Sequence, residues 1–258
     1  METILSTQNN RVKEWEKLKT KKGRKKTGMY LIEGRHLVSE VLQNDADVVY
    51  VVATQDELDE IKFEVPNDLL VVVSDKIADH LSDTVTTQGI FAIVRIPNKE
   101  RQIQEPASYI EGAWLLLDNI QDPGNIGTMV RTADAAGFEG VVFGKGTADI
   151  FNPKIQRAMQ GSQFHIRLVL GDLNEWVKSF RKANLPVFGT ELNPQAKSYQ
   201  EIEATNDFAL IMGNEGNGMS KELLSQTTAN LYIPIKGQAE SLNVAVAAGI
   251  LMFSLKDI

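Results

Sequence analysis

Six short apolar runs recur through the second half of the chain, each closed by turn residues and followed by room for a helix. They are "WLLLD" (114–118), "GVVFG" (140–144), "FHIRLVL" (164–170), "PVFGT" (186–190), "FALIM" (208–212) and "NLYIP" (230–234). A strand that is apolar on both faces has to be covered on both faces, so this alternation predicts a mostly parallel sheet between layers of helices. Helical segments are expected at about 126–136, 152–160, 173–183 and 220–226. The last segment, "SLNVAVAAGILMFSL" (241–255), is apolar nearly all round and predicts a helix packed on every side.

The first half reads as a smaller unit. A basic helix is followed by a second helix near "YLIEGRHLVSEVLQN", and by β-rich runs at "DVVYVVA", "LLVVVS" and "GIFAIVRI", with a helix around Lys76 to Leu81. This pattern gives a small α/β sandwich. Between the halves, "PNKERQIQEPASYIEG" (97–112) is polar, aperiodic and carries two prolines, which marks a linker. The expected division is a first domain over 1–98, a linker over 99–112 and a second domain over 113–258.

Composition excludes several chemistries. The chain has no cysteine, so disulfides, thiolate metal sites and cysteine nucleophiles are out. His36, His80 and His165 are far apart in sequence, and no metal is expected. No apolar run is long enough to span a bilayer and "METILSTQNNRVKEW" has no h-region, so a soluble, cytoplasmic protein without a membrane partner is expected. The net charge of -7 hides a strong asymmetry: residues 11–26, "RVKEWEKLKTKKGRKK", carry nine Lys or Arg against two Glu. Such a block suits a polyanion. It suits equally well a solvated amphipathic helix with Val12, Trp15 and Leu18 as its buried stripe, and the two readings are compatible.

In parallel α/β sheets ligands bind beyond the carboxyl ends of the strands. Three loops stand out there: "DNIQDPGNIGTMVRTADAAG", "GNEGNGMS" and "IKGQAESLN". None has the dinucleotide spacing G-x-G-x-x-G or a P-loop lysine. The glycine loop offers Glu215 instead of a cation, which argues against a bare phosphate as ligand. Simpler roles stay open for each residue. Gly213, Gly216 and Gly218 could form a tight strand-to-helix turn with Ser220 as helix cap. Asn125 could cap a helix, Ser241 and Asn243 could start the last one, and Arg131 could be an ordinary surface arginine.

Taken in order, "LDNIQDPGNIGTMVRTADAAGF", "IMGNEGNGMS" and "YIPIKGQAESLNVAVAAGILMF" resemble the three signature motifs of the SpoU (TrmH) family of RNA ribose 2'-O-methyltransferases, over about half of the chain. The opening "QNNRVKEWEKLKTKKGRKKTGMYLIEGRHLV" and "TTQGIFAIV" resemble, more loosely, the L30-like substrate-binding domain often found ahead of that catalytic domain. The resemblance implies an α/β methyltransferase domain of the SPOUT class with a C-terminal trefoil knot, which no periodicity could reveal. It implies S-adenosylmethionine as cofactor, held at Gly213, Gly218, Ile233 and Leu242 with Thr190 as a further wall. It implies a homodimer, and catalytic roles for Asn125, Arg131, Glu215, Ser241 and Asn243. RNA contacts are then expected at Arg11, Lys13, Lys21, Lys22, Arg24, Lys25 and Arg35.

Methyl transfer to a ribose hydroxyl is an in-line displacement that needs alignment and loss of the hydroxyl proton. A guanidinium is a poor base at neutral pH, so Arg131 is expected chiefly to stabilise developing negative charge, with proton acceptance as the alternative. Ribosomal RNA is the expected substrate and transfer RNA the runner-up. A catalytically silent RNA-binding protein and a small-molecule nucleotide enzyme are the readings from other classes. One departure concerns "KIQRAMQGSQFHIRL", where Met159 stands in a place often held by serine and Ser162 follows, which leaves the RNA target open.

Overall fold

The computed structural model describes residues 2–97, 103–107, 109–191, 193 and 195–257. Residues 99–102 and 108 of the expected linker, and residue 98 just before it, lie outside the described residues. Two compact units form: Met1–Asn98 together with Asp149–Phe164, and Lys99–Ala148 together with His165–Ile258.

The first unit contains β1 (Glu2–Ile4), α1 (Asn10–Lys17), α2 (Lys21–Thr27), β2 (Met29–Glu33), α3 (Arg35–Gln43), β3 (Val48–Ala53), α4 (Gln55–Glu60), β4 (Leu70–Val73), α5 (Asp75–Leu81) and β5 (Ile90–Arg95). Its sheet runs β1-β4-β3-β5-β2, with β5 antiparallel to both neighbours. The basic arm is two helices rather than one. Thr20 breaks it, accepting a hydrogen bond from the Gly23 amide as the cap of α2. Val12, Trp15 and Leu18 are buried against Ile77 and Leu81, which anchors the arm by its apolar stripe. The helix expected over "YLIEGRHLVSEVLQN" is a strand followed by a helix, β2 and α3. Gly34 makes the junction at φ 106°, a conformation closed to most side chains.

The second unit contains β6 (Ala113–Asp118), α6 (Pro123–Ala135) and β7 (Gly140–Phe143). After β7 the chain makes the excursion that carries α7 (Pro153–Met159) and belongs to the first unit. The second unit resumes with β8 (Arg167–Leu170), α8 (Leu173–Lys182), β9 (Val187–Thr190), β10 (Lys197–Ser198), β11 (Phe208–Gly213), α9 (Lys221–Leu224), β12 (Ala229–Tyr232) and α10 (Val244–Leu255). Its seven strands run β10-β12-β9-β11-β6-β7-β8, and every pair is parallel. Trp114 and Trp176 pack with ring centroids 4.6 Å apart on one face, with Val142, Val177 and Phe180 around them. Leaving β6, the chain builds β7 and β8 outward on one side and β11, β9 and β12 on the other, so the order reverses between β6 and β11.

The excursion Asp149–Phe164 is tied into the first unit by specific contacts. Phe151 packs on Tyr30 at 4.9 Å, Asp149 pairs with Arg24 at 2.8 Å, and Arg157 pairs with Glu33 and Asp83. Met159 and Ser162 are both buried there, so Met159 is a core side chain. The final helix departs from expectation. It starts at Val244, and it is not packed on every side, because Val246 and Phe253 are 53% and 50% exposed.

Candidate active site

A cavity of about 500 Å3 opens beyond the carboxyl ends of β9, β11 and β12, with Asn125 of α6 on its wall. This is the place where the order of the parallel sheet reverses, and diverging loops leave a crevice at such a point. Thr190, Gly213, Gly218, Ile233 and Leu242 all line it, as do Asn125, Glu215, Ser241 and Asn243. Four chain segments converge here because each closes a strand of one sheet.

The polar groups form a chain of hydrogen bonds across the loops. Asn243 Nδ2 donates to Asn125 Oδ1 at 2.9 Å, and Asn125 Nδ2 donates to Glu215 Oε1 at 3.2 Å. Glu215 also accepts from the Asp122 amide at 3.2 Å and the Gln121 amide at 3.4 Å, at the entry to α6. Partial burial pushes the Glu215 carboxyl up, but its hydrogen bonds outweigh this together and hold it below the usual carboxylate range. They come from backbone amides, its own included, and from the Asn125 side chain. Asn243 is the cap of α10, its Oδ1 accepting from the amides of Ala245 and Val246. Asn125 is not a cap: Asp122 caps α6 and accepts from the Asn125 amide at 2.8 Å.

Two further asparagines fasten the glycine loop. Asn214 Nδ2 donates to the Asn119 carbonyl at 2.8 Å, while Asn214 Oδ1 accepts from the amides of Gly216 and Asn217. Asn119 itself holds φ at 58°. Of the three glycines in the loop two are required. A Cβ on Gly213 would stand 2.3 Å from the Met219 amide nitrogen, and Gly218 has φ at 67°. A Cβ on Gly216 would find its nearest neighbour at 3.8 Å. Ser220 caps α9, and its amide donates to Asp118 at 2.7 Å. Thr190 is held on two sides, its amide donating to Met219 Sδ at 3.0 Å and its hydroxyl to the Ile211 carbonyl at 3.1 Å.

The cavity lining has a sign. Glu191, Glu215 and Glu240 are in it, and no Lys or Arg is. Arg131 lies outside the lining; it is exposed on α6, and its side chain makes no hydrogen bond or ion pair among the described residues. Sequence reasoning missed Asn119, Asn214, Tyr232 and Glu240. Asn214 lay in plain view, but a glycine loop draws attention to its backbone, and the asparagine at 119 is only a weak signal for its left-handed backbone.

The residues expected to meet RNA divide sharply. Lys13, Lys21, Lys22 and Lys25 are exposed and without side-chain partners among the described residues. Arg24 is corrected: it is 3% exposed, donates to the carbonyls of Leu18 and Lys19 and pairs with Asp149, so it is an internal strut. Arg35 is gripped by Glu57 and Glu60, whose hydrogen bonds raise its pKa further, and Arg11 is paired with Glu2. Among the described residues no cluster of His, Asp or Glu could hold a metal ion and no helix is long and apolar enough to cross a membrane.

Residues 112–253 match the SpoU rRNA methylase family, and residues 9–92 match the MRM3-like substrate-binding domain. The 23S rRNA (guanosine(2553)-2'-O)-methyltransferase RlmP of Bacillus subtilis is 44% identical, the alignment covering 99% of this chain and all of that one. An AdoMet-bound rRNA methyltransferase from Sinorhizobium meliloti superposes with a TM-score of 0.85 at 28% identity, covering 98% of this chain and 97% of the other. An RNA 2'-O ribose methyltransferase superposes with a TM-score of 0.80 at 28% identity over the same shares. The SpoU match covers more than half of the chain and the Bacillus relative nearly all of it, so this chain belongs to the SpoU rRNA methylase family.

Proposed function

We propose that this protein transfers the methyl group of S-adenosylmethionine to a ribose 2'-hydroxyl of ribosomal RNA. The observation that carries the reading is the cavity at the sheet reversal, which has three carboxylates and no cation in its lining. A ligand with a sulfonium and an ammonium against a single carboxylate carries net positive charge and suits such walls, whereas a nucleoside phosphate does not. The 44% identity to a 23S rRNA 2'-O-methyltransferase supports the choice of ribosomal over transfer RNA.

When bound, the cofactor supplies an electrophilic methyl group. The chain's own residues do the rest. Gly213 and Gly218 let backbone come close to the adenosine portion, with Thr190, Ile233 and Leu242 as walls. Glu215 and Asn243 fix Asn125 from two sides, so its amide cannot swing and can orient the ribose. Ser241 holds the cofactor's carboxylate end. Arg131 acts as a cation for the developing alkoxide and an adjacent phosphate.

Because Arg131 does not line the cavity of its own chain, the reading includes a homodimer that completes the site. Support comes from α10, which packs beside α6 and leaves Val246 and Phe253 half exposed. The knot implied by the family belongs to the same reading. Burying Phe253 is worth roughly 1.5–3 kcal/mol, so Phe253→Asp should weaken self-association at least tenfold in sedimentation equilibrium. Unchanged association would remove the dimer from the proposal.

The direct test uses tritiated S-adenosylmethionine and RNA from a strain lacking this gene, with wild type beside Arg131→Ala. Label surviving in an alkali-resistant dinucleotide, and lost in the variant, is the expected result. Label released with single nucleotides would mean base methylation and sink the ribose reading.

A further inference from the structure

The first unit has two cavities of opposite character. One, of about 480 Å3, is ringed by Asp56, Glu57, Glu60, Asp75 and Asp79 around Arg35, and its carboxylates repel a polyanion. The other, of about 230 Å3, lies at the start of α3 between the loop before β5 and the excursion, and is lined by His36, Thr86, Gln88, Arg157 and Gln160. It falls below the ~300–1,000 Å3 of pockets for drug-sized ligands, and it is the right size for one planar ring system.

Its side chains are arranged as plates and edges. Arg157 is pinned between Glu33 at 3.5 Å and Asp83 at 3.1 Å, so its flat guanidinium cannot swing out to follow a phosphate. Glu33 is 8% exposed and also accepts from the hydroxyls of Ser82 and Thr84 and from the Asp83 amide, which leaves it no spare role as a ligand. The His36 side chain is 59% exposed, and its Nε2 is fixed on the Gln160 carbonyl at 3.0 Å. Imidazole rings and guanidinium planes are the surfaces on which unpaired bases stack. The edges are mixed. Gln88 uses its oxygen on the Arg35 amide at 2.8 Å and Gln160 uses its NH2 group on the Arg157 carbonyl; among the described residues the Gln88 NH2 group and the Gln160 side-chain oxygen have no other partner. A phosphate calls for donors alone; a donor beside an acceptor matches the edge of a nucleobase.

We propose that this cavity is a subsite for a single unpaired nucleobase of the RNA substrate, stacked by His36 and Arg157 and read at its edge by Gln88 and Gln160. The inference rests on the RNA-methylating reading above and deepens it. It also gives the excursion a purpose, since residues 149–164, which lie within the stretch matched by the methylase family, supply Arg157 and Gln160 to a pocket in the first unit.

The test is fluorescence anisotropy of a labelled single-stranded RNA of mixed sequence at about 0.2 M salt, where the lysine contribution is reduced, alongside methylation kinetics on 23S rRNA. Stacking on one side chain is worth about 1–3 kcal/mol per base, so His36→Ala should weaken RNA binding and raise the RNA KM about tenfold. The KM for S-adenosylmethionine should stay within twofold, and His36→Phe, which keeps a stacking ring, should recover most of the loss. RNA binding insensitive to His36→Ala would overturn the subsite, as would a His36→Phe protein no better than His36→Ala. Both outcomes are read from binding alone. A wild type that binds RNA through His36 but methylates none would sink the methylation reading and leave the subsite intact.

Discussion

Arg24 in the basic arm is 3% exposed, held between two backbone carbonyls and Asp149, while its neighbour Lys25 is exposed and has no side-chain partner among the described residues. At the cavity of the second unit the relation is inverted. Asn243 and Glu215 are exposed, yet both are fixed by partners far away in sequence, 118 residues for Asn243 and 90 for Glu215. Identical-looking charges in the arm therefore have different jobs, and dissimilar residues around the cavity share one. In the arm, burial decides which cation is free for a polyanion. At the cavity, cross-loop hydrogen bonding decides which polar group is held still enough to orient a substrate.

The sharpest way to break this contrast is within the arm. Arg24→Ala should cost about 3 kcal/mol of stability in urea melts, because it strips a partly buried carboxylate of its partner. Lys25→Ala should stay within about 0.5 kcal/mol. The double variant Lys21→Ala/Lys25→Ala should instead reduce the salt dependence of RNA binding, by about 0.7 in log–log slope per lost phosphate contact. Equal stability of Arg24→Ala and Lys25→Ala would erase the distinction. The next test is in the glycine loop. Gly213→Ala should cost about 2 kcal/mol through forced backbone shifts and abolish S-adenosylhomocysteine binding in calorimetry, while Gly216→Ala should bind as wild type does.

Smaller effects sharpen the comparison. Asn214→Ala leaves the Asn119 carbonyl without its donor, and a loss of about 1 kcal/mol is expected, read as a roughly fivefold weaker cofactor affinity; no change would mean the loop holds without that clasp. The smallest effect is in pH. Hydrogen bonding lowers the Glu215 pKa, so the carboxylate's contribution is complete above the pKa of about 4.3 for an unfolded glutamate. It is lost only as pH falls through the lower folded value. Cofactor affinity should thus be flat on this account from about pH 5 to 8, and a Glu215-dependent loss near pH 6, absent in Glu215→Gln, would contradict the hydrogen-bond scheme.

Much of the fold was legible because burial leaves a period. All the strands of the second unit except β10, the short Lys197–Ser198, showed as apolar runs, and α8 is found at Leu173–Lys182 against an expected 173–183. Errors came where two short elements adjoin. The single helix expected across Gly34 is β2 and α3, and the polar break Glu33-Gly34-Arg35-His36, with its glycine, was the signal that divides them. The apolar character of α10 suggested burial on all sides, and periodicity has no way to tell a core face from one left uncovered.

By itself the sequence determined the alternation that makes a parallel sheet, the three loops that had to meet at its carboxyl edge, and the family to which they belong. Those are consequences of local composition and of short motifs, which the chain carries wherever it folds. Only the tertiary structure decided that Arg24 is a strut, that Asn214 clasps Asn119, and that residues 149–164 pack with the first unit. Each of these is a contact between segments remote in sequence, and its energy comes from desolvation and pairing at one place in space. No window along the chain contains that information.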